Sequence, residues 1–482
     1  MNYSIVRYIL GRTLLLEALL LVAPLMVAFI YQESSITILS FIITIILILI
    51  TGILMSWQKP SKPEFYAREG FVVVTLTWFF LSLFGSLPFV ISGSIPSPVN
   101  AFFETVSGFT TTGASILNDV EILPRSILFW RSLTHLIGGM GVLVFALAIL
   151  PKVESDAVHI MRAEVPGPSF GKMLARVSHT ARILYKIYLI MTGALILILI
   201  LFGMPVFDSF IHAFGAAGTG GFSSHNASIA HYGKPALEII IGAAMLLFGV
   251  NFYIYYLIMI RQFRSALKNE ELRWYGFFIT LAIAVISLML IPQYNNVNQM
   301  LRDVFFTVAS IISTTGYATA NFDTWPMAAH IVLMLLMFCG GMAGSTAGGI
   351  KVSRLAIYMK TVFQDIRHAI SPNRRIVENF EKKPLSRDFQ HSVSTYFMTY
   401  ILFFSACLFI VSFDTPNFIS AFSAVAATLN NIGPGLDMVG PTSNYSELSD
   451  WTKIVLAIAM VAGRLEIYPV LVLLSPKTWR KL

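Results

Sequence analysis

Four short stretches of this 482-residue chain share a pattern suited to holding a dehydrated cation: Thr111-Thr112-Gly113, Thr219-Gly220-Gly221, Thr314-Thr315-Gly316 and Asn431-Ile432-Gly433. Glycine permits the φ values that aim successive backbone carbonyls one way, and a ring of carbonyls can replace an ion's hydration shell. The chemistry implied is ion selection. One such stretch says little; their common register says more. Eleven residues before glycines 113, 221, 316 and 433 stand Phe102, Phe210, Phe305 and Phe422, and two further back Asn100, Asp208, Asp303 and Ser420. The last four types favour helix N-caps. Each turn is therefore predicted to follow a capped half-helix of about twelve residues, roughly 18 Å long at the α-helical rise. That length enters a membrane and stops halfway.

The rest of the chain must supply that membrane setting. With 56% apolar and 12% charged residues it reads as a polytopic membrane protein. Ten apolar runs near 9–30, 34–56, 70–92, 127–150, 183–203, 235–260, 273–292, 326–350, 391–412 and 452–474 are each long enough to span. The first is read as a retained helix, since no small-residue cleavage site follows Arg7 and Arg12. Spans one and two, residues 1–58, form an added pair in which Glu17 is the only charge well inside. A unit of span, half-helix, glycine turn and second span then recurs over 59–152, 153–264, 265–390 and 391–482. Non-helical backbone at membrane depth must be buried in protein or line a wet cavity, so four returns most naturally surround one pore. The negative ends of the half-helix dipoles would favour a cation there. The predicted fold is all-α, with four-fold pseudo-symmetry about a central pore.

Two further features sit at membrane depth. Gly340, Gly341, Gly344, Ser345, Thr346, Gly348 and Gly349 break the eighth span. Glycine costs about 1 kcal/mol per helical position relative to alanine, so the stretch is predicted to unwind into an intramembrane loop. Close packing of helices through small residues is the rival reading. A nucleotide-binding loop fails, because Ile350 separates Gly349 from Lys351 and no strand precedes it. Arg464 lies near the middle of the last span, where a central arginine costs roughly 2.5 to 3.5 kcal/mol. It must face water, a partner or the pore; a structural ion pair with an acid such as Glu466 is the alternative.

Other polar residues leave two readings open. His135 is either a satisfied bundle histidine or part of a proton relay. Glu104 and Asp437 are either acids of an outer vestibule or ordinary solvated acids. Cys339 and Cys407 both lie inside spans and are read as packing residues, with neither a disulfide framework nor a metal cluster indicated. With the N-terminus inside, 27 of the 33 Lys and Arg fall in cytoplasmic segments, five outside and Arg464 within a span. The formal charge of +8 thus reports topology and contact with anionic lipid, and argues against a nucleic-acid partner. Both termini are placed in the cytoplasm. The inside segments 153–186, with Pro166-Gly167-Pro168, and 351–390, with no apolar core of its own, do not read as independent domains.

The four turns, the added N-terminal pair, the glycine-rich break and Gly463-Arg464-Leu465-Glu466 together resemble the Trk/Ktr/HKT superfamily of potassium transporters, and within it the bacterial TrkH type. The resemblance covers nearly the whole chain. It implies that K+ is the transported ion, that the glycine-rich stretch obstructs the pore and moves on opening, and that Arg464 faces the pore as a barrier. Glycine in all four turns implies a K+ preference. Asn431 and Ile432 in place of hydroxyl residues, Pro434, and Gly220 depart from the symmetric pattern and point to moderate selectivity over Na+. The family also implies a homodimer and a cytosolic ring of nucleotide-binding, RCK-type (TrkA-like) subunits. No cofactor bound by this chain is implied, nor any enzyme activity. The function expected is gated, channel-like K+ uptake across the inner membrane. The alternative is a secondary transporter coupling K+ or another solute to H+ or Na+.

Overall fold

The computed structural model describes residues 1–60, 66–141, 177–372, 378–381 and 383–479. Among them, six helices are long and apolar enough to cross a membrane: Tyr3–Ile30, Ser35–Ser56, Ala67–Ile91, Arg182–Leu201, Glu270–Leu290 and Arg387–Val411. A seventh candidate, Pro235–Phe248 with Phe252–Met259, is bent by 93° at the intervening residues. The run at 326–350 stops being helical at Cys339, the next helix, Val352–Ile370, beginning beyond it, and the last span is broken into Asp450–Arg464 and Tyr468–Leu474. In the first repeat the helix Arg125–Gly139 also stops short, just before the described residues end. The predicted break in the third repeat is thus one of a set. Turn-promoting residues mark each site: Gly141, with a positive φ of 80°, Gly249 with Asn251, the glycine-rich stretch, and Glu466 and Ile467, which both take positive φ.

The added N-terminal pair closes on itself and on the first repeat. A Cβ on Gly11 would stand 2.8 Å from the Gly52 carbonyl, so these two glycines let the helices Tyr3–Leu20 and Ser35–Ser56 cross in backbone contact. Glu33, in the turn region between them, accepts hydrogen bonds from the Ser126 amide (2.8 Å) and hydroxyl. It thereby caps the helix Arg125–Gly139, whose own N-cap residue, Pro124, offers no side-chain acceptor.

The four half-helices are Pro98–Phe109, Val206–Gly218, Val297–Ile312 and Phe418–Leu429, of 12, 13, 16 and 12 residues. Their caps differ from those expected. Ser97 and Asn417 cap the first and fourth, Asn296 the third, and Pro205 precedes the second without a side-chain bond. Asn100 and Ser420 instead sit three residues inside, as the amides that the caps hold. The side chains of the four expected residues serve a different link, from each half-helix to the chain before, beyond or beside it. Asn100 accepts from Lys453 (2.9 Å), Asp208 from Ser224 (2.8 Å), Asp303 from Tyr294 (3.1 Å), and Ser420 donates to Asp437 (2.8 Å). The recurrent phenylalanines pack outward. Phe305 lies on Gly242, and Phe422 meets Phe404 and Phe338 edge to face.

On the face holding 351–390, the two-residue strands Asn379–Phe380 and Lys383–Pro384 pair antiparallel. Phe380 joins Ala356, Ile357 and Val393 in a small buried apolar cluster. The expectation that this segment lacks an apolar core is therefore corrected, although Val393 ties that cluster to the next span. Glu381 accepts from the amides of Glu270 (2.6 Å) and Glu271 (3.2 Å), capping the helix Glu270–Leu290. The expected Pro166-Gly167-Pro168 turn lies outside the described residues.

Candidate ion filter and gate

Each half-helix ends in the same way. Thr111, Thr219, Thr314 and Asn431 take left-handed φ of 56°, 58°, 56° and 55°, and the glycine two residues later is again positive, from 77° at Gly113 to 100° at Gly433. The amide of the left-handed residue bonds back three residues, and the next amide bonds back five: Thr112 to Ser107 (2.9 Å), Gly220 to Gly215 (2.8 Å), Thr315 to Ser310 (2.9 Å) and Ile432 to Ala427 (2.8 Å). This is the Schellman arrangement, which satisfies the last helical carbonyls. It is normally built on glycine. A threonine there costs about 1 to 2 kcal/mol, and in three of the four turns the side chain is held: Thr219 donates to the Gly218 carbonyl, Thr314 accepts from the Gly348 amide (2.6 Å), and Asn431 donates to Met460 (2.9 Å).

The four turns abut one another in chain order. A Cβ on Gly113 would lie 1.9 Å from the Gly220 carbonyl oxygen, on Gly221 2.0 Å from that of Thr315, on Gly316 2.1 Å from that of Ile432, and on Gly433 2.7 Å from that of Thr112. Each of these four glycines thus faces the carbonyl preceding the next glycine, and the fourth returns to the first. Only glycine fits at any of the four positions. All four glycines line a single cavity of about 190 Å³. The irregular fourth turn closes the ring by a side chain, Asn431 Nδ2 donating to Thr112 Oγ1 at 3.0 Å. Gly220 is small because His135 stands behind it, with Nδ1 2.0 Å from where a Cβ would sit.

Buried side chains buttress the turns from behind. Glu104 pairs with Arg131 (2.6 Å) and accepts from the Ile116 amide, while Arg131 also donates to the Ser223 carbonyl of the second turn. Neither open reading of Glu104 holds: it is 1% exposed and belongs to a buried ion pair. Tyr317 donates to the carbonyls of His212 and Phe222, and Tyr445 to that of Gly433. His135 is fully buried against Phe222 and faces the Gly108 backbone, with neither ring nitrogen at hydrogen-bond geometry. Asp437 is the exposed, solvated acid; Asn417 and Ser420 hold its carboxyl below the usual range. Cys339 and Cys407 are buried and free, as expected of packing residues.

Below the ring, residues 340–351 leave the helical path and stay almost wholly buried. Gly340 and Gly349 bring the ends of this loop together, a Cβ on Gly349 falling 2.7 Å from the Gly340 Cα. The unwound reading holds. Gly348 touches the end of the fourth half-helix, 2.3 Å from Cβ position to the Asn430 carbonyl, and Gly344 lies against the bent helix of the second repeat, where it accepts from the Phe252 amide, while Ser345 donates within the loop to Met342. Gly341 accepts from the Val352 amide, and Thr346 donates to Phe248. Arg464 donates to Thr346 at 2.7 Å, and to the carbonyls of Gly138 (2.6 Å) and Gly139 (2.5 Å). Glu466 forms a bidentate pair with Arg354 (3.0 and 2.5 Å).

Several of these residues carry no sequence signal beyond charge at membrane depth. Besides Arg464, the basic side chains of Arg131, Lys351, Arg354 and Lys453 are buried in the protein. Lys351 donates to the carbonyls of Ala347 and Gly348. Glu271 accepts from the amides of Ala343 (2.7 Å) and Ser353 (3.1 Å), holding both sides of the loop. Glu271→Ala leaves two buried donors without this acceptor, at about 1 to 3 kcal/mol each. The variant is expected to melt several degrees lower in detergent and to leak ions at rest; an unchanged melting point and unchanged flux would show the loop held without it.

The sequence profile of the TrkH family, described as a cation transport protein, matches residues 37–481. The chain is 34% identical, over the full length of both chains, to the Trk system potassium uptake protein TrkH of Halomonas elongata and to that of Escherichia coli strain K12. It superposes on the crystal structure of the potassium transporter TrkH from Vibrio parahaemolyticus with a TM-score of 0.88, at 32% identity and full coverage of both chains.

Proposed function

The chain belongs to the TrkH family of cation transport proteins, and from that premise we propose that it admits K+ through a gated central pore. The family transports ions rather than catalysing a reaction, and the relatives are named as potassium uptake proteins. One observation carries the pore reading: four equivalent glycine turns meet in the order first, second, third, fourth, first, around a shared cavity. Residues Thr111 to Gly113, Thr219 to Gly221, Thr314 to Gly316 and Asn431 to Gly433 are the filter in this proposal. The buried glycine-rich loop, clamped by Arg464, is the gate. The asymmetry of the fourth turn, with Asn431 and Ile432 in place of hydroxyl residues and Pro434 after the glycine, supports a moderate preference for K+ over Na+.

The bias of basic residues supports an orientation with both termini in the cytoplasm of an inner membrane. Residues 1–58 serve in this proposal as the added pair, and 59–152, 153–264, 265–390 and 391–482 as the four repeats. The relatives' designation as parts of a Trk system supports further components. We assign these as a second copy of this chain and a cytosolic nucleotide-binding ring, docking on the face of Val352–Ile370 and its hairpin. Purified protein in liposomes tests the mechanism. Downhill Rb+ flux without any H+ or Na+ gradient is the expected result, and strict dependence on a second gradient would replace the channel by coupled transport.

A further inference from the structure

At the rim of the cavity above the ring, three side chains from two repeats converge. The metal-ligating atoms of Glu121, His225 and His231 all lie within 4.8 Å of one another. His225 also lines the cavity that the four filter glycines share. We propose that Glu121, His225 and His231 form a binding site for a zinc-class transition metal, and that the bound dication slows ion entry. The effect on entry rests on the pore reading above; the metal site itself does not.

The donor set is that of zinc. Two imidazoles and a carboxylate suit a borderline metal, whereas Ca2+ and Mg2+ need more oxygen ligands. Tetrahedral ligands about 2.0 to 2.1 Å from a metal stand roughly 3.3 Å apart; with the His225 and His231 rings parallel, their in-plane lone pairs do not yet converge, and metal binding requires one imidazole to turn out of the stack. The imidazoles of His225 and His231 already stack, centroids 3.5 Å apart and 4° from parallel.

A supporting shell is in place. His225 turns Nε2 to the Asp208 carboxylate at 3.4 Å and Nδ1 toward Glu121 at 3.5 Å. That Nδ1 is buried and makes no hydrogen bond among the described residues. An Nε2–H donated to Asp208 leaves the Nδ1 lone pair free for a metal, the carboxylate–histidine pairing that orients metal ligands in proteins. Glu121 is held as well: its Oε1 accepts from the Asn226 amide at 3.1 Å, and Asn226 Oδ1 accepts from the Val120 amide at 2.8 Å. The two outer loops are therefore joined beside the site before any metal arrives. A dication there sets positive charge at the entrance that a monovalent cation must pass.

Calorimetric titration of the detergent-purified full chain with Zn2+ tests the site independently of transport. One Zn2+ per chain is expected, weakened at least tenfold in His231→Ala and in Glu121→Gln, with Ca2+ giving no comparable binding. Asp208→Asn, which removes the carboxylate facing His225 while its amide oxygen can still accept from Ser224, should weaken Zn2+ by on the order of 10- to 100-fold. No saturable binding to the parent protein, or equal binding by His231→Ala with an unchanged elution profile, overturns the site. In Rb+ uptake, Zn2+ on the His225 side should slow the parent and spare His231→Ala. Zinc that binds without slowing uptake overturns the effect on entry. A parent protein that carries no Rb+ at all would count against the pore reading, while the titration still decides the site.

Discussion

Gly316→Ser should lower the preference for K+ over Na+ on the order of tenfold while the protein still folds. The serine Cβ would lie 2.1 Å from the Ile432 carbonyl oxygen, so that oxygen must retreat by roughly an ångström, and φ of +83° adds strain at the new residue. Ile432 supplies the carbonyl of the fourth turn that faces the third, and its displacement opens the ring at that junction. A tenfold change requires only about 1.4 kcal/mol of differential binding between two ions. Relative Rb+ and Na+ permeability in liposomes is the measurement. Gly93→Ala is the control: φ there is also positive, at +74°, yet no atom lies within 4 Å of the added methyl. That variant should bear the strain of a left-handed alanine, about 1 to 2 kcal/mol, with ion discrimination unchanged. Intact discrimination in a folded Gly316→Ser protein would remove the third turn from the pore wall.

Arg464→Ala should raise resting Rb+ leak about tenfold or more. One guanidinium joins three parts: the loop at Thr346, the end of the first repeat's second helix at Gly138 and Gly139, and its own helix in the fourth repeat. Positive charge at the carbonyl end of a helix is favoured, and hydrogen bonds to a charged donor are worth about 1.5 to 3 kcal/mol. Loss of even the contact to Thr346 shifts a closed loop toward release by a factor of ten to a hundred. Arg464→Lys separates two ways of gating. If charge alone repels cations, lysine keeps the barrier. If the planar fork clamps the loop, lysine cannot reach three carbonyls on two sides and leaks like alanine. The contacts favour the clamp; normal flux in the folded alanine variant would take Arg464 out of the gate.

Local rules made part of this architecture legible. The half-helices were readable because their ends obey residue preferences, yet their starts were misplaced at Asn100, Asp208 and Ser420. A polar residue at the third helical position resembles a cap in type, and only Ser97 and Asn417, with their acceptor geometry, separate the two. Gly340 to Gly349 were readable as a break through glycine density alone. The breaks near Gly249 and Glu466 were not, because a single glycine or a positive-φ glutamate leaves hydropathy unchanged. Glu104 could be seen but not assigned, since its fate depended on Arg131 lying on the facing helix.

By itself, the sequence determined the membrane class, the four-fold repeat and the glycine-centred turns. The bilayer forces apolar runs of fixed length, and each turn depends on φ preferences of residues a few positions apart. Only the tertiary structure decided which turn touches which, what Arg464 holds and why Gly220 is small. Those answers rest on contacts between residues far apart in the chain, Gly433 with Thr112, Arg464 with Gly138, His135 with Gly220. Such close approaches are set by how helices pack, and no spacing along the chain encodes them.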